Sequence, residues 1–307
     1  MLKKLAAALA ALTLLSGCAT RLSTHPVQPA ATGVPTSTAA MLTALRRPGG
    51  ATLDAVVAAD WRFPHASATG PDQPWENSLL DGKIFFYAFR HPDHGLILID
   101  AGMPDDAPRQ MGPVLRRLMN IDQTYATRQS TAGYLAATGE TPRAVFVTHL
   151  HFDHVLGVRD LPRDTPIHVG PGEGAQSNLV YGFVAHVTAR ALEGRPPLRE
   201  WRFQPDPDGR LPGVIDVFGD GSLFAISAPG HTPGSTVYVV NAVDGVHLIT
   251  GDLAHSRAAW LGERMDRAAF DPDLPTLRSS LAAMQAVAAD IPGVIVHPGH
   301  QALEDAP

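Results

Sequence analysis

The chain has 307 residues, of which 45% are hydrophobic and 18% are charged, and its formal net charge is −6. This composition is typical of a globular protein with a substantial core, and the length suits one large domain or two small ones. A net negative charge with no basic block argues against nucleic acid as a partner.

The first 18 residues have the pattern of a secretion leader. Lys3 and Lys4 precede an apolar stretch from Leu5 to Leu15. This stretch is too short to span a bilayer, which takes about 20 residues. Residues 1–18 are therefore predicted to be a signal peptide and not a membrane helix.

The leader ends in Leu15-Ser16-Gly17-Cys18, which resembles the lipobox of bacterial lipoproteins. The resemblance implies that Cys18 is lipidated and becomes the mature N-terminus, so that it anchors the chain to a membrane of the bacterial cell envelope. Ala19, and not Asp, follows the cysteine, which favours the periplasmic face of the outer membrane. The alternative is an ordinary signal peptide with a chance cysteine. Because Cys18 is the only cysteine, an intramolecular disulfide is excluded.

Residues 19–40 are rich in Ala, Thr, Pro and Ser and show no apolar period. They are predicted to form a flexible tether between the anchor and a folded domain over residues 41–307. Residues 41–60 are expected to contain a short helix. Trp61, Phe63 and Trp75 stand among prolines, where packing under a loop is favoured over ligand binding.

Strand and helix patterns follow along the rest of the chain. Lys83 to Arg90 and Gly95 to Asp100 predict a hairpin, and residues 195–215 read as a loop. Further strands are predicted over 144–147, 166–169, 223–228, 235–241, 246–250 and 293–297, and helices over 105–119, 128–138, 174–192 and 275–290. About eight strands and a few helices in two halves predict an α+β fold, a four-layer αβ/βα sandwich with two sheets between helix layers.

The most informative stretch is Thr148-His149-Leu150-His151-Phe152-Asp153-His154, directly after the apolar strand at 144–147. His149 and His151 point the same way on an extended chain, and Asp153 and His154 follow as the chain turns. Neutral imidazole and carboxylate are ligands that zinc prefers. The competing interpretation, a histidine-rich surface loop, is weakened by the ligands that appear downstream.

Those downstream candidates are His231 in Gly230-His231-Thr232-Pro233-Gly234, Asp252 in Gly251-Asp252, and His300 in Gly299-His300. Each lies just past the end of a predicted strand, on a glycine-bearing turn. Loops at strand ends, held by a rigid sheet, are where catalytic groups collect.

With these residues the chain resembles the metallo-β-lactamase-fold hydrolases, in the branch of lactonases and glyoxalase II-like enzymes. The matching motifs are H-x-H-x-D-H at 149–154, G-H-T-P-G at 230–234, G-D at 251–252, G-H at 299–300 and Leu98-Ile99-Asp100-Ala101-Gly102 upstream. The resemblance covers roughly residues 80–302. It implies the sandwich fold and a metal-dependent hydrolase.

The resemblance also implies roles for individual residues. One metal would take His149, His151 and His231, the other Asp153, His154 and His300, with Asp252 bridging both. Asp100 would support the metal loop through hydrogen bonds, and Asp153 could also receive or return a proton. Tyr181 could donate a hydrogen bond to a substrate carbonyl oxygen, or it could be a half-buried packing residue. His255 could line the mouth, but it is outside the ligand pattern.

Two divalent ions, with zinc expected, would share a hydroxide that acts as the nucleophile on a small-molecule substrate; the same ligands also bind iron and manganese. The resemblance implies that true metallo-β-lactamases generally lack a bridging aspartate at the position of Asp252. Its presence therefore favours a lactonase or a related carboxylic-ester hydrolase. Thiolester, sulfate-ester and phosphoester hydrolysis are the alternatives, and no Lys or Arg follows His300 to bind an anionic thiolester. β-Lactam hydrolysis, a non-catalytic metal-binding lipoprotein and a mononuclear iron dioxygenase of the same fold are less favoured. No protein partner is inferred.

Overall fold

The computed structural model describes residues 20–70, 72–178, 181–267 and 273–304. The signal peptide predicted over 1–18, with Cys18, lies outside the described residues. Two sheets lie face to face and helices cover their outer sides, which confirms the predicted α+β fold and its αβ/βα layering. None of the described helices combines the length and apolar composition needed to cross a bilayer.

The described strands are β1 Thr20–Arg21, β2 Val27–Pro29, β3 Val34–Thr36, β4 Thr52–Ala68, β5 Glu76–His91, β6 Gly95–Ile99, β7 Tyr125–Thr127, β8 Ala144–Phe146, β9 Ile167–Val169, β10 Ser177–Asn178, β11 Leu198–Glu200, β12 Val214–Asp216, β13 Leu223–Ser227, β14 Thr236–Ala242, β15 Gly245–Gly251, β16 Met265–Arg267 and β17 Ile295–Pro298.

The described α-helices are α1 Thr38–Ala44, α2 Ala107–Leu118, α3 Ile121–Thr124, α4 Thr131–Thr138, α5 Phe152–Val155, α6 Tyr181–Leu192, α7 Arg257–Trp260 and α8 Leu274–Ala289. A 3₁₀ turn, Leu156–Asp160, follows α5.

The first sheet has the strand order β16-β4-β5-β6-β8-β9-β11-β2, and β7 pairs with β4. The second sheet has the order β17-β15-β14-β13-β12-β3, and β1 and β10 form a separate ribbon. The predicted hairpin is present, because β5 and β6 are antiparallel neighbours that pair His91 with Gly95. The strand β8, which precedes the metal-ligand motif, runs parallel to β6 and β9.

The core consists of three clusters that define the layers. One lies between the sheets and joins Phe89 and Ile97 of the first sheet to Tyr238 and Ile249 of the second. The other two lie under the helices: one packs the first sheet against α2 and α6, the other packs the second sheet against α1 and α8. Alternate residues of each central strand therefore face opposite clusters, as the period-two geometry of a strand requires.

The prediction of a flexible tether over residues 19–40 is wrong for the part that forms strands. β2 pairs with β11, matching Val27 to Leu198, and β3 pairs with β12, matching Val34 to Asp216. Leu22 is only 1% exposed and belongs to the core under α2 and α6. Strands of two or three residues are too short to show an apolar period, and prolines such as Pro29 and Pro35 are compatible with the edge positions that β2 and β3 occupy.

Two further predictions need correction. The short helix expected within 41–60 begins earlier, as α1, and most of that stretch belongs to the long strand β4. The expected loop over 195–215 contains β11 near its start and the beginning of β12 near its end. In both places, pairing with a neighbouring strand outweighs a weak local pattern.

Candidate metal centre

The seven predicted ligands meet at one edge of the sandwich, and each is at most 6% exposed. His149 and His151 follow β8, and Asp153 and His154 stand on the short helix α5. The other three follow strands of the second sheet: His231 comes after β13, Asp252 directly after β15 and His300 after β17. The strand-end placement that the sequence predicted is therefore present.

The first ligand group consists of His149, His151, His231 and Asp252. His149 Nε2 lies 3.0 Å from His151 Nδ1, and His231 Nε2 lies 3.2 Å from the former and 2.9 Å from the latter. Asp252 Oδ2 lies 3.3 Å from His231 Nε2 and 3.7 Å from His149 Nε2. Three imidazole nitrogens and one carboxylate oxygen thus surround a single point.

The second group consists of Asp153, His154 and His300. Asp153 Oδ2 lies 3.6 Å from His300 Nε2 and 3.8 Å from His154 Nε2. Asp252 presents its other oxygen here, since Oδ1 lies 3.4 Å from His154 Nε2 and 3.2 Å from His300 Nε2. Asp252 therefore stands between the groups with one oxygen toward each.

The residues fit a pair of divalent cations. Nitrogen ligands of a tetrahedral zinc lie about 3.3 Å apart, close to the spacings in the first group. Within the described part of the chain, His154 Nε2 and Asp252 Oδ1 are buried without a hydrogen-bond partner. Buried polar atoms normally have partners, and a cation would satisfy both. The donor set therefore suits two His/Asp metal sites.

The electrostatic environment prepares the ligands for this role. Burial and the nearby His154 lower the pKa of His149 well below 6.5, and burial and His231 do the same for His151. Both rings are therefore neutral and able to coordinate a cation. Burial raises the pKa of the Asp252 carboxyl, but the neighbouring His300, His255 and His154 outweigh it and hold that pKa well below 3.8. Asp252 is thus a carboxylate.

Hydrogen bonds behind the ligands set their orientation. Asp100, in the left-handed backbone conformation with φ 55°, accepts from Thr148 N at 2.7 Å and from His154 Nδ1 at 2.8 Å. His300 Nδ1 donates to Lys83 O at 2.9 Å. Each bond fixes the proton on Nδ1 and leaves Nε2 for a metal. The supporting role expected of Asp100 is therefore seen in the structure.

Two glycines allow the ligand loops to approach each other closely. A Cβ at Gly299 would lie 2.4 Å from Asp252 Oδ1. At Gly251, where φ is +51°, a Cβ would lie 2.6 Å from the Cβ of Thr148. Any larger residue at these positions would displace Asp252 or the loop that carries His149.

Sequence reasoning missed Glu173, which connects two ligand loops. Its carboxylate is 5% exposed and accepts from Leu150 N at 2.8 Å and from Thr232 Oγ1 at 2.7 Å. Burial raises the pKa of Glu173. The available signal was a lone carboxylate in the glycine-rich turn Gly170-Pro171-Gly172-Glu173-Gly174, directly after a predicted strand.

His255 is closer to the centre than its position outside the ligand pattern indicated. It is 3% exposed, and its Nε2 lies 3.4 Å from Asp252 Oδ2. Its ring lies 5.0 Å from that of His231 and 6.1 Å from that of His300. It belongs to neither ligand group but lines the cleft beside them, as expected. Its position three residues after Asp252 in the sequence was the usable signal.

Tyr181 lies behind His151. Its hydroxyl donates to Gln176 Oε1 at 2.6 Å and lies 3.3 Å from His151 Nε2, which leaves His151 Nδ1 for the metal. Tyr181 is fully buried and is absent from the described residues that line the cleft. The contact between Tyr181 and a substrate, which the sequence suggested, stays a prediction. In the structure the Tyr181 hydroxyl contacts the ring of His151 and helps to orient this candidate ligand.

A mostly apolar cleft opens onto the two ligand groups. Its walls include Trp61, Phe63, Met119, Phe152 and Val184, and none of its described lining residues is Lys or Arg. Trp61 and Phe63 pack against each other with ring centroids 5.0 Å apart, and Phe63 lies 4.9 Å from the His300 ring. These aromatics therefore pack, as predicted, and also form the wall of the site.

Comparison with known proteins agrees with this geometry. Over 121 residues the chain is 33% identical to Gamma-lactamase MBL2 of Gibberella moniliformis; the match covers 36% of this chain and 49% of that protein. Over 183 residues it is 28% identical to N-acyl homoserine lactonase AttM of Rhizobium johnstonii; the match covers 57% of this chain and 66% of that relative. The matched regions thus span about half to two thirds of these relatives.

A solved structure of an N-acyl homoserine lactone hydrolase, with N-hexanoyl-L-homoserine at its catalytic metal center, superposes with a TM-score of 0.52. The identity is 18%, and the superposition covers 80% of this chain and 94% of that one, which supports the shared fold. The sequence model of the metallo-beta-lactamase superfamily matches residues 80–300, a span that contains every predicted ligand. The chain therefore belongs to the metallo-beta-lactamase superfamily.

Proposed function

We propose that this metal-dependent hydrolase holds two divalent ions, with zinc expected, and cleaves a lactone or another carboxylic ester. The observation that carries the proposal is the position of Asp252, which presents one carboxylate oxygen to each ligand group. A carboxylate in that position suits a dinuclear centre. The similarity to lactonases supports the ester class.

The ligand residues have distinct tasks in this scheme. His149, His151 and His231 would hold one ion, Asp153, His154 and His300 the other, and Asp252 both. The ions would supply an activated water as nucleophile and positive charge for the developing oxyanion. Asp153 also lines the cleft, and in this scheme its carboxylate would receive or return a proton during the reaction.

The cleft favours an uncharged substrate with an apolar group. Trp61, Phe63 and Phe152 offer aromatic surface beside the ligands. The described lining contains no Lys or Arg that could pair with an anionic substrate. A lactone or ester with an alkyl or aryl substituent meets these conditions. An anionic glutathione thiolester would lack a basic partner among the described lining residues.

We also propose that the mature chain is anchored through lipidated Cys18 on the periplasmic face of the outer membrane. The proposal rests on the leader and on Leu15-Ser16-Gly17-Cys18. Full-length protein should fractionate with membranes, and Cys18→Ser should abolish lipid labelling. Equal labelling of both forms would show that no lipid is attached at this residue.

The catalytic proposal is tested with purified protein and a substrate panel. The panel contains lactones, aryl esters, thiolesters, phosphotriesters, sulfate esters, β-lactams and γ-lactams, each assayed before and after removal of metal by a chelator. Lactones or aryl esters should give the highest kcat/KM, and chelation should abolish the reaction. A higher kcat/KM for any other class, or full activity after chelation, would contradict the proposal.

A further inference from the structure

Four arginines form a surface cleft at the C-terminal end of α6, away from the metal centre. Arg159, Arg163, Arg190 and Arg195 line it together with Ala191 and Glu193. Arg159 Nη1 donates to Arg190 O at 3.0 Å, and Arg163 Nη1 donates to Glu193 O at 3.2 Å. These contacts hold two guanidinium groups over the last carbonyls of the helix.

Arg195 is the structural member of this group. It is 9% exposed and donates to the carbonyls of Leu161 and Pro162 at 3.1 Å each. Burial and the neighbouring Arg163 and Arg159 lower the pKa of Arg195. The remaining three, Arg159, Arg163 and Arg190, are exposed, and we call them the arginine face.

The arginine face brings three guanidinium groups together, with the acidic residues Glu193 and Asp160 nearby. Within the described parts of the chain, none of the three has a carboxylate within ion-pair distance, although the whole chain has a net charge of −6. A guanidinium has five N–H donors, of which Arg159 and Arg163 each use one in the described contacts. Planar guanidinium groups with unused donors match the oxygens of a phosphate.

The arginine face borders the neighbouring helix α2. A Cβ at Gly112 would lie 3.5 Å from Arg190 Nη2, so the arginine face reaches α2.

The N-terminal segment runs over the same side of the molecule. β1 pairs with β10, the strand just before α6. Ser23, His25 and Pro26 then lie along α6 and line a second hollow with Arg190 and Glu193. His25 Nε2 donates to Pro196 O at 3.0 Å. The described chain from Thr20 to Pro26 is therefore fixed beside the arginine face.

We propose that the arginine face docks on an anionic membrane surface by binding the phosphate groups of its lipids. Docking would add an electrostatic contact to the proposed lipid anchor, and it would turn a fixed side of the hydrolase toward the membrane. The proposal does not depend on which ester is cleaved.

The test uses the unlipidated chain from Ala19 onward, which contains every helix and strand described above. Co-sedimentation is measured with vesicles of phosphatidylcholine alone and with vesicles of equal parts phosphatidylcholine and phosphatidylglycerol. The variant is Arg159→Gln with Arg163→Gln and Arg190→Gln. The matched control is Arg46→Gln with Arg47→Gln and Arg278→Gln, which removes three exposed arginines from the side of α1 and α8.

The unchanged chain and the control should bind the phosphatidylglycerol vesicles, and added salt should weaken that binding. The arginine-face variant should bind roughly 100-fold more weakly, because each basic residue contributes separately at an anionic surface. All three proteins should keep their circular dichroism spectrum and hydrolytic activity. Equal binding by variant and unchanged chain, equal loss in the control, or equal binding to phosphatidylcholine alone would overturn the proposal. Binding of inorganic phosphate without vesicle binding would overturn it in favour of a soluble anion.

Discussion

At the scale of single residues, Asp252 connects the two halves of the site. Asp252→Asn keeps the shape of the side chain but removes the charge that would offset two cations. We expect the rate of hydrolysis to fall at least ~100-fold. Mutating a residue that only supports a metal ligand can already cost about 100-fold, and Asp252 is proposed to be a ligand itself. The circular dichroism spectrum should stay unchanged. Steady-state kinetics and elemental analysis measure the effect.

Asp244→Asn is the matched control, because Asp244 precedes the other end of β15 and pairs with His247 at 3.1 Å. It should keep full activity and metal content. Wild-type activity in Asp252→Asn, or an equal loss in the control, would mean that Asp252 is not the bridging ligand.

Asp100 should act on metal affinity through His154. Asp100→Asn tolerates the left-handed backbone conformation but cannot accept through both side-chain atoms. We expect metal affinity to fall 10- to 100-fold, as measured by competition with a chelator. Asp220→Asn is the control, since Asp220 lies 2.7 Å from His91 in an Asp–His pair outside the site. Unchanged affinity in Asp100→Asn would remove Asp100 from the support of the centre.

The sequence predicted which His and Asp side chains come together, because a metal-ligand pattern depends on residue type at characteristic positions. Glu173, which the sequence analysis missed, and His255, which it expected only at the mouth, make contacts that depend on the folded loops. Glu173 forms hydrogen bonds with both Leu150 and Thr232, and Thr232 lies 59 residues after Glu173 in the chain. His255 reaches Asp252 only because of the turn between them. The contacts of Glu173 follow no spacing rule that the sequence alone could reveal.

At the scale of elements, the N-terminal segment is part of the fold. Leu22→Ala should destabilise the protein by roughly 2–5 kcal/mol, the usual cost of a cavity at a buried leucine. Val27→Ala, in the same segment at 49% exposure, should change stability by less than ~0.5 kcal/mol. Denaturant unfolding compares the two. If Leu22→Ala is as mild as Val27→Ala, the segment is not packed as the structure has it.

The strands that the sequence predicted are those with dense apolar residues, such as β8, β13 and β14. β4 was missed because Ala, the strongest helix former, occupies three of its first eight positions. Pairing with β5 explains why this segment is a strand, since β4 pairs with β5 from Thr52 to Ser67. Long-range pairing of this kind overrides local propensity.

At the scale of the whole molecule, His168 should make stability depend on pH. Its ring is 3% exposed and stacks on Trp201, with centroids 4.6 Å apart. Burial and the nearby Arg199 lower the pKa of His168 to about 3. The unfolded chain has a pKa near 6.5 at this residue. Between these values the unfolded state binds a proton that the folded state excludes, so the stability present above pH ~6.5 is lost as the pH falls toward ~3.

At about pH 5 this loss amounts to roughly 2 kcal/mol. His168→Gln removes the titration, so its unfolding free energy should fall less between neutral pH and pH ~5 than that of the unchanged chain, by about that amount. Denaturant unfolding of both metal-free proteins measures the difference, because the ligand histidines then contribute equally to each. Identical pH dependence would contradict the prediction.

The metal content of the purified chain tests the central claim most directly. Seven buried ligands in two groups, with Asp252 between them, predict two divalent ions per chain. Elemental analysis after gel filtration in zinc-supplemented buffer should give a ratio close to two. A reproducible ratio of one, unchanged by further zinc, would contradict the dinuclear centre on which the proposed chemistry rests.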